Sequence, residues 1–596
     1  MLLTTLFSLP TAMALDVNDE GRMLVLYDGT GTRQVNEVAP DGTWRALTET
    51  GDTCRNAKFV PGTTQVILEH DNGGNERGQL SLLDLAVPGL PTPSPLVHDD
   101  DYIHSLLDAN AERVLYTTNR RNGVDFDLIA RDLSSGDETV LYDAGGWIFG
   151  VTASPDDRWA VLRKATDTPN SMQLLLVETA THAVTELTPY DAHNENAEIS
   201  WLPDSSGFLV STDADRDRMA LRRYDLAEAS WRDVLVDEAR DLAGWASPDG
   251  EHLLVGAVDD GEVSLILHRL KDAGVVAPLA LPAGGCAAMS MTTPSPIWSP
   301  DGSFAAITYN SPIVPPTVYR YVPDSGELTE VRHPDAGEVP AELKHPESLR
   351  VPSFDGEQVP VFVFRPTGPD LGTTVLHIHG GPEGAAMKIW SPVVSSLAAD
   401  GHTVVVPNVR GSVGYGKRWY SLDDREQRLD SVKDLAAIHA WLPTIGADPG
   451  RAALWGGSYG GYMVLAGLAF QPDLWAAGVD IVGMASLVTF LENTSAYRRA
   501  MREREYGYLA TDREFLESAS PLSRVDDLRA PLFVIHGAND PRVPLSEAEQ
   551  ITDALTERGV PCKLLVYADE GHGLAKLANK LDAYPQALSF LRDHLA

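Results

Sequence analysis

Three polar residues carry the chemistry most visible in this chain: a serine among glycines, an aspartate and a histidine. Gly456-Gly457-Ser458-Tyr459-Gly460 follows the apolar run AALW (452–455) and opens the apolar stretch GYMVLAGLAF (461–470). A G-x-S-x-G at a strand-to-helix turn is a nucleophile elbow. Its glycines allow a turn where a side chain would meet the next strand or helix, and the serine lands at a helix N-terminus that favours negative charge. Without the flanking strand and helix, the pattern would mean little among 50 glycines. A serine nucleophile needs a base, and the base needs an orienting carboxylate. FVIHGANDPRVP (533–544) places Asp540 just past an apolar run, 82 residues after Ser458, and VYADEGHG (566–573) places His572 past the next run, 32 residues further on. The order serine, acid, histidine is that of α/β-hydrolases. Asp569 and Glu570 compete for the acid's role, but they share one short loop with His572. His594, in LSFLRDHL, reads as a surface residue.

These residues need a frame of strands and helices. Apolar runs at 373–381, 402–411, 452–458, 476–483, 530–537 and 562–573 alternate with helical patterns such as SVKDLAAIHAWL (431–442), which puts Val432, Leu435, Ala436, His439 and Leu442 on one face. Such alternation predicts an α/β-hydrolase domain with a mostly parallel, doubly wound sheet and its site at the carboxyl ends of the strands. The first half has another texture. Seven segments repeat a turn followed by an apolar strand: NDEGRMLVLYD, PGTTQVILEHD, DANAERVLYTTN, SPDDRWAVLRKA, PDSSGFLVSTD, SPDGEHLLVGAVD and SPDGSFAAITYN, at intervals of 43 to 52 residues. Four strands per unit near 45 residues, seven times over, predict a seven-bladed β-propeller. The domains are then 1–335 (propeller) and 336–596 (hydrolase), with a Pro-rich, charged linker region over 332–352.

Composition bounds the rest. The 596 residues, 43% hydrophobic and 22% charged, exclude a disordered or disulfide-stapled chain. A net charge of −38 argues against nucleic acid and anionic membrane surfaces as partners. Three scattered cysteines suit a reducing, cytoplasmic setting. The opening MLLTTLFSLPTAMA resembles a signal peptide around Ala12-Met13-Ala14, yet the first basic residue is Arg22, so the segment is read as a strand entering the first repeat. HDDDYIH (98–104) reads as a solvated acidic loop. Asp213, Asp215 and Asp217 have EF-hand spacing, but Arg218 and Tyr224 stand where glycine and glutamate belong, so no metal site is assigned.

GGSYGG (456–461), HGANDPRVP (536–544) and DEGHG (569–573), behind propeller-like repeats, resemble the prolyl oligopeptidase family of serine peptidases. LENTSAYRR (491–499), EREYG (503–507) and SPLSRVDDLRAPL (520–532) look most like its acylaminoacyl-peptidase branch. The resemblance implies a triad of Ser458, Asp540 and His572 that needs no cofactor. It implies that the Tyr415 hydroxyl in NVRGSVGYG (408–416) and the backbone N–H of Tyr459 form the oxyanion hole, that Arg542 holds a substrate carbonyl, and that His379-Gly380-Gly381-Pro382 shapes the site floor. The expected substrate is a short peptide or acyl-peptide, with self-association left open. The chain has no adjacent Glu-Glu pair, which the family's dipeptidyl-peptidase branch uses to hold a free amine. An esterase or amidase acting on non-peptide acyl compounds is an alternative, as is a propeller-based binding protein with an idle hydrolase domain.

Overall fold

The seven repeats become the second strands of seven four-stranded antiparallel sheets in the computed structural model, which describes residues 2–289 and 293–595. The sheets span 12–46, 54–97, 104–142, 148–186, 196–235, 241–278 and 297–330, each with its strands in sequence order. This is the seven-bladed propeller expected. The repeat was readable at the second strands because they are sandwiched: every residue of Gly207–Thr212 and Ala305–Ser311 is buried. Fourth strands lie outermost, and Val184–Glu186 is exposed throughout, so no apolar pattern survives there.

The Ser-Pro-Asp turns are stapled by their own side chains. Ser154 Oγ donates to Asp156 (2.6 Å) and accepts from the Trp159 amide (3.0 Å); Ser299 does the same with Asp301 (2.7 Å) and Phe304 (3.1 Å). Blade one meets blade seven by packing rather than by a shared sheet. Ala12, Ala14 and Val17 join Phe304, Ala306 and Val318 in one apolar cluster, and the Ala14 amide donates to Thr308 Oγ1 (3.0 Å). His104, placed in a loop by its sequence, instead begins the first strand of blade three and is buried.

The chain divides into two compact units: 10–72 with 76–337, and a second made of 338 onward, the stretch through Leu9, and Gly73–Asn75. The second unit is built on eight strands: β1 (Glu347–Pro352), β2 (Gln358–Phe364), β3 (Thr373–Ile378), β4 (His402–Pro407), β5 (Ala452–Gly457), β6 (Ala477–Ile481), β7 (Leu532–Gly537) and β8 (Cys562–Tyr567). They lie in the order 1-2-4-3-5-6-7-8; β1, β2 and β4 pair antiparallel and the rest are parallel. One face packs against the helices Arg428–Trp441, Tyr459–Phe470 and Leu545–Glu557. The other packs against Leu2–Ser8, Pro392–Ala399 and Leu577–Leu595. This is the α/β-hydrolase architecture expected.

Two local readings change. Leu2–Ser8 is a helix, not a strand: Leu3 and Leu6 are buried three residues apart, and Phe7 stacks on Tyr584 (centroids 5.1 Å). The strand begins only at Ala12, after Pro10. The stretch read as linker over 332–352 ends in β1, an edge strand whose burial is confined mainly to Val351. No helix among the described residues is long and apolar enough to cross a membrane.

Candidate active site

Five loops leave the carboxyl ends of β3, β4, β5, β7 and β8, and between them they carry Ser458, Tyr459, Asp540, Arg542, His572, Tyr415 and the His379-Gly380-Gly381-Pro382 turn. Ser458 sits at the β5 turn with φ 58° and ψ −119°, a conformation non-glycine residues rarely adopt. Its amide donates to the Ile481 carbonyl (2.8 Å), and its carbonyl accepts from Tyr462 (3.0 Å), which hold the turn in place. Bare backbone at the flanks is obligatory. A Cβ on Gly456 would stand 2.2 Å from the Gly460 oxygen, and one on Gly460 would stand 2.3 Å from the Ile378 oxygen.

The three groups form one unbroken line. Ser458 Oγ donates to His572 Nε2 at 2.9 Å, and His572 Nδ1 donates to Asp540 Oδ2 at 2.7 Å. The Asp540 side chain is fully buried and that of His572 is 10% exposed. Burial opposes the Asp540 charge. Hydrogen bonding and charge from His572, helped by the Val543 amide, outweigh it and hold the carboxyl below its usual range. Its other oxygen accepts from the Arg542 (2.8 Å) and Val543 (3.0 Å) amides. Behind it, buried His536 donates to the Val543 carbonyl (3.0 Å), and burial keeps that imidazole's pKa low. The rival acids are engaged elsewhere. Asp569 pairs with Lys576 (2.8 Å), and Glu570 accepts from the Ala575 and Lys576 amides ahead of the last helix (both 2.9 Å).

The loop after β4 brings Tyr415. Asn408, fully buried, grips both the amide (2.7 Å) and the carbonyl (3.0 Å) of Ala386 and donates to the Tyr415 hydroxyl (2.9 Å). That bond uses an acceptor lone pair of the phenol, not its proton. Val413 donates to Gly384 (3.0 Å), which ties the β3 and β4 loops together. The β3 loop in turn touches the nucleophile: a Cβ on Gly380 would lie 3.5 Å from Ser458 Cβ. Arg410 anchors the assembly, chelating Asp434 (3.0 and 2.8 Å) and Asp355 (3.0 and 3.2 Å) while 2% exposed.

Tyr459 opens the helix Tyr459–Phe470, so its N–H has no intrahelical acceptor. Its side chain points away into a buried network, bonding Ser431 (2.9 Å) and Asp423 (3.2 Å). Arg542 is half-buried beside the acid, its carbonyl accepting from Thr494 Oγ1 (2.8 Å). Sequence reasoning missed Asn408, Arg410 and Asp434. The NVRG segment was the only signal pointing to the first two.

A β-propeller joined to an α/β-hydrolase with a Ser–His–Asp line defines a serine hydrolase. Residues 390–596 match the prolyl oligopeptidase family, and residues 105–334 match the prolyl oligopeptidase N-terminal β-propeller domain. The chain therefore belongs to the prolyl oligopeptidase family and is a serine peptidase acting on peptides. It is 26% identical over 603 residues to dipeptidyl aminopeptidase BIII of Pseudoxanthomonas mexicana, covering 96% of this chain and 85% of that one. It is 25% identical over 320 residues to the acylamino-acid-releasing enzyme of Rattus norvegicus, covering 50% of this chain and 43% of that one. A puromycin-hydrolyzing peptidase of Mycobacterium tuberculosis shares the fold at TM-score 0.87 and 19% identity, over 100% of this chain and 96% of its own.

Proposed function

We propose that the chain cleaves short peptides through an acyl-enzyme on Ser458. Ser458 Oγ attacks the scissile carbonyl as its proton passes to His572 Nε2, while Asp540 holds the Nδ1–H side of the ring and offsets the imidazolium charge. The oxyanion is met by the Tyr459 amide and the Tyr415 hydroxyl. His572 returns the proton to the leaving amine, then takes one from water, whose oxygen breaks the ester and frees Ser458. Arg542, beside the acid, holds a carbonyl of the bound peptide. A cytoplasmic setting belongs to this reading, supported by three free cysteines of which Cys54 and Cys286 are buried.

The observation that carries the proposal is the 2.7 and 2.9 Å hydrogen-bonded line from Asp540 to Ser458. Ser458→Ala is expected to lower kcat about a million-fold on a chromogenic peptide, with an unchanged melting curve. Retention of more than about 1% of activity, a loss far smaller than triad removal brings, overturns the assignment. Matched peptides with blocked and free amines, plus the corresponding esters, separate an acylamino-acid-releasing preference from an aminopeptidase or esterase one.

A further inference from the structure

Behind the nucleophile elbow, three carboxylates converge from two distant segments. Asp423 and Asp424 lie in the turn before the helix Arg428–Trp441, and Glu505 is the penultimate residue of the helix Ala496–Tyr506. One oxygen of each lies within 4.8 Å of the others'. Asp423 and Glu505 are 1% exposed, whereas Asp424 is half-buried and opens the cluster toward solvent. A single guanidinium answers them: Arg428, fully buried, bonds Asp423 through Nη1 and Glu505 through Nη2. It lies over the rings of Tyr506 (4.9 Å) and Tyr459 (5.2 Å). The neighbouring charges are spoken for. Arg504 pairs with Glu383 (3.2 Å), and Arg425 lies over the Tyr508 ring (5.2 Å) while donating to the Arg504 carbonyl (3.3 Å). The Arg425 charge still acts on neighbouring Asp424, so three carboxylates against Arg428 and Arg425 leave one negative charge over.

A second observation is independent of that count. Glu505 Oε2 and Asp424 Oδ1 are buried oxygens that meet no hydrogen-bond donor among the described residues. An acceptor withdrawn from water with nothing to accept costs free energy, all the more when it is charged. A proton, a water or a cation can settle such an oxygen, and one cation shared by the three carboxylates settles both at once.

We propose that Asp423, Asp424 and Glu505 bind one hard divalent cation of Ca2+ size, in a site that braces the helix carrying the nucleophile. All the donors are oxygens, the choice of Ca2+ and Mg2+ rather than of softer metals. Ca2+ takes its oxygen ligands at about 2.3–2.6 Å in a flexible geometry, whereas Mg2+ at about 2.0–2.1 Å demands a near-ideal octahedron, and carboxylates from two separate segments suit the more tolerant ion. The route to the nucleophile is short: Asp423 Oδ2 accepts from the Tyr459 hydroxyl, and Tyr459 follows Ser458 in the chain. The site touches no substrate; its role is positioning.

The test is calorimetric titration of the chelator-stripped full chain with Ca2+ in about 0.15 M KCl, where surface charge is largely screened. Terbium luminescence, sensitised by Tyr459 and Tyr506, supplies a second readout. One Ca2+ per chain is expected, displacing Tb3+, raising the melting temperature, and binding at least ten-fold more tightly than Mg2+. Glu505→Gln should abolish the site. Asp424→Asn, at a half-buried position that folds readily, should weaken binding ten-fold or more. Absence of saturable binding, or an Asp424→Asn affinity equal to that of the parent chain, overturns the proposal. So does diffuse binding of several ions that neither substitution alters. Equal affinity for Mg2+ overturns the assignment of ion size.

Discussion

In the proposed reaction Tyr415 and the Tyr459 amide meet the oxyanion from different elements, and only the first can be removed by substitution. Tyr415→Phe keeps the ring packed against the catalytic core and deletes one donor. It should lower kcat by about 100- to 1000-fold with little change in KM, because the bond strengthens as charge develops in the transition state. The Asn408 side chain loses an acceptor in the same variant, at a cost of about 1 kcal/mol in stability. Steady-state kinetics with a peptide anilide checks the first expectation, and a kcat within ten-fold of the parent would remove Tyr415 from the oxyanion hole. Ser458, Asp540 and His572 were legible because type, order and flanking glycines are local properties of the string. Asn408 and the Arg410–Asp434 pair were not, since their value lies in partners 22 to 24 residues away that only the folded sheet brings into contact.

At the scale of elements, the elbow helix lies so close on β6 that Asp480 is trapped beneath it. A Cβ on Gly461 would stand 2.3 Å from Asp480 Oδ1. Burial pushes this carboxyl up to about 7, with the Gly483 amide pulling weakly the other way. The folded state thus holds a proton that an unfolded aspartate releases near pH 3.9. Between about pH 4 and 7 the contribution of Asp480 to stability therefore falls as pH rises, by at most ~1.4 kcal/mol per unit, and above pH 7 its penalty is constant. Asp480→Asn carries no such charge. Its stability relative to the parent should be lowest near pH 4 and should climb through pH 7. Urea unfolding of both chains at pH 4, 6 and 8 measures this, and a pH-independent difference would show that Asp480 ionises normally in the fold. Elements also show where sequence reading fades. β1 buries so little beyond Val351 that its charged residues and Pro352 resembled a linker. Leu2–Ser8, at seven residues, is too short to separate helix from strand before its packing is known.

For the whole molecule, the 85 acidic against 47 basic residues act at a distance that no single contact shares. A peptide approaching a body of net charge −38 feels that field over roughly the Debye length, about 30 Å at 0.01 M salt and 8 Å at 0.15 M. The triad does the same chemistry on every peptide once it is bound, so the field should appear in kcat/KM and not in kcat. Two peptides identical around the scissile bond, carrying +2 and −2 on residues remote from it, isolate the effect. At 0.01 M salt the cationic peptide should have the higher kcat/KM by about ten-fold. The ratio should shrink toward unity by 0.5 M, with kcat the same for both throughout. A ratio that does not change with salt would place the preference in a local subsite, where screening cannot reach, and would leave the acidic surface without a part in substrate capture.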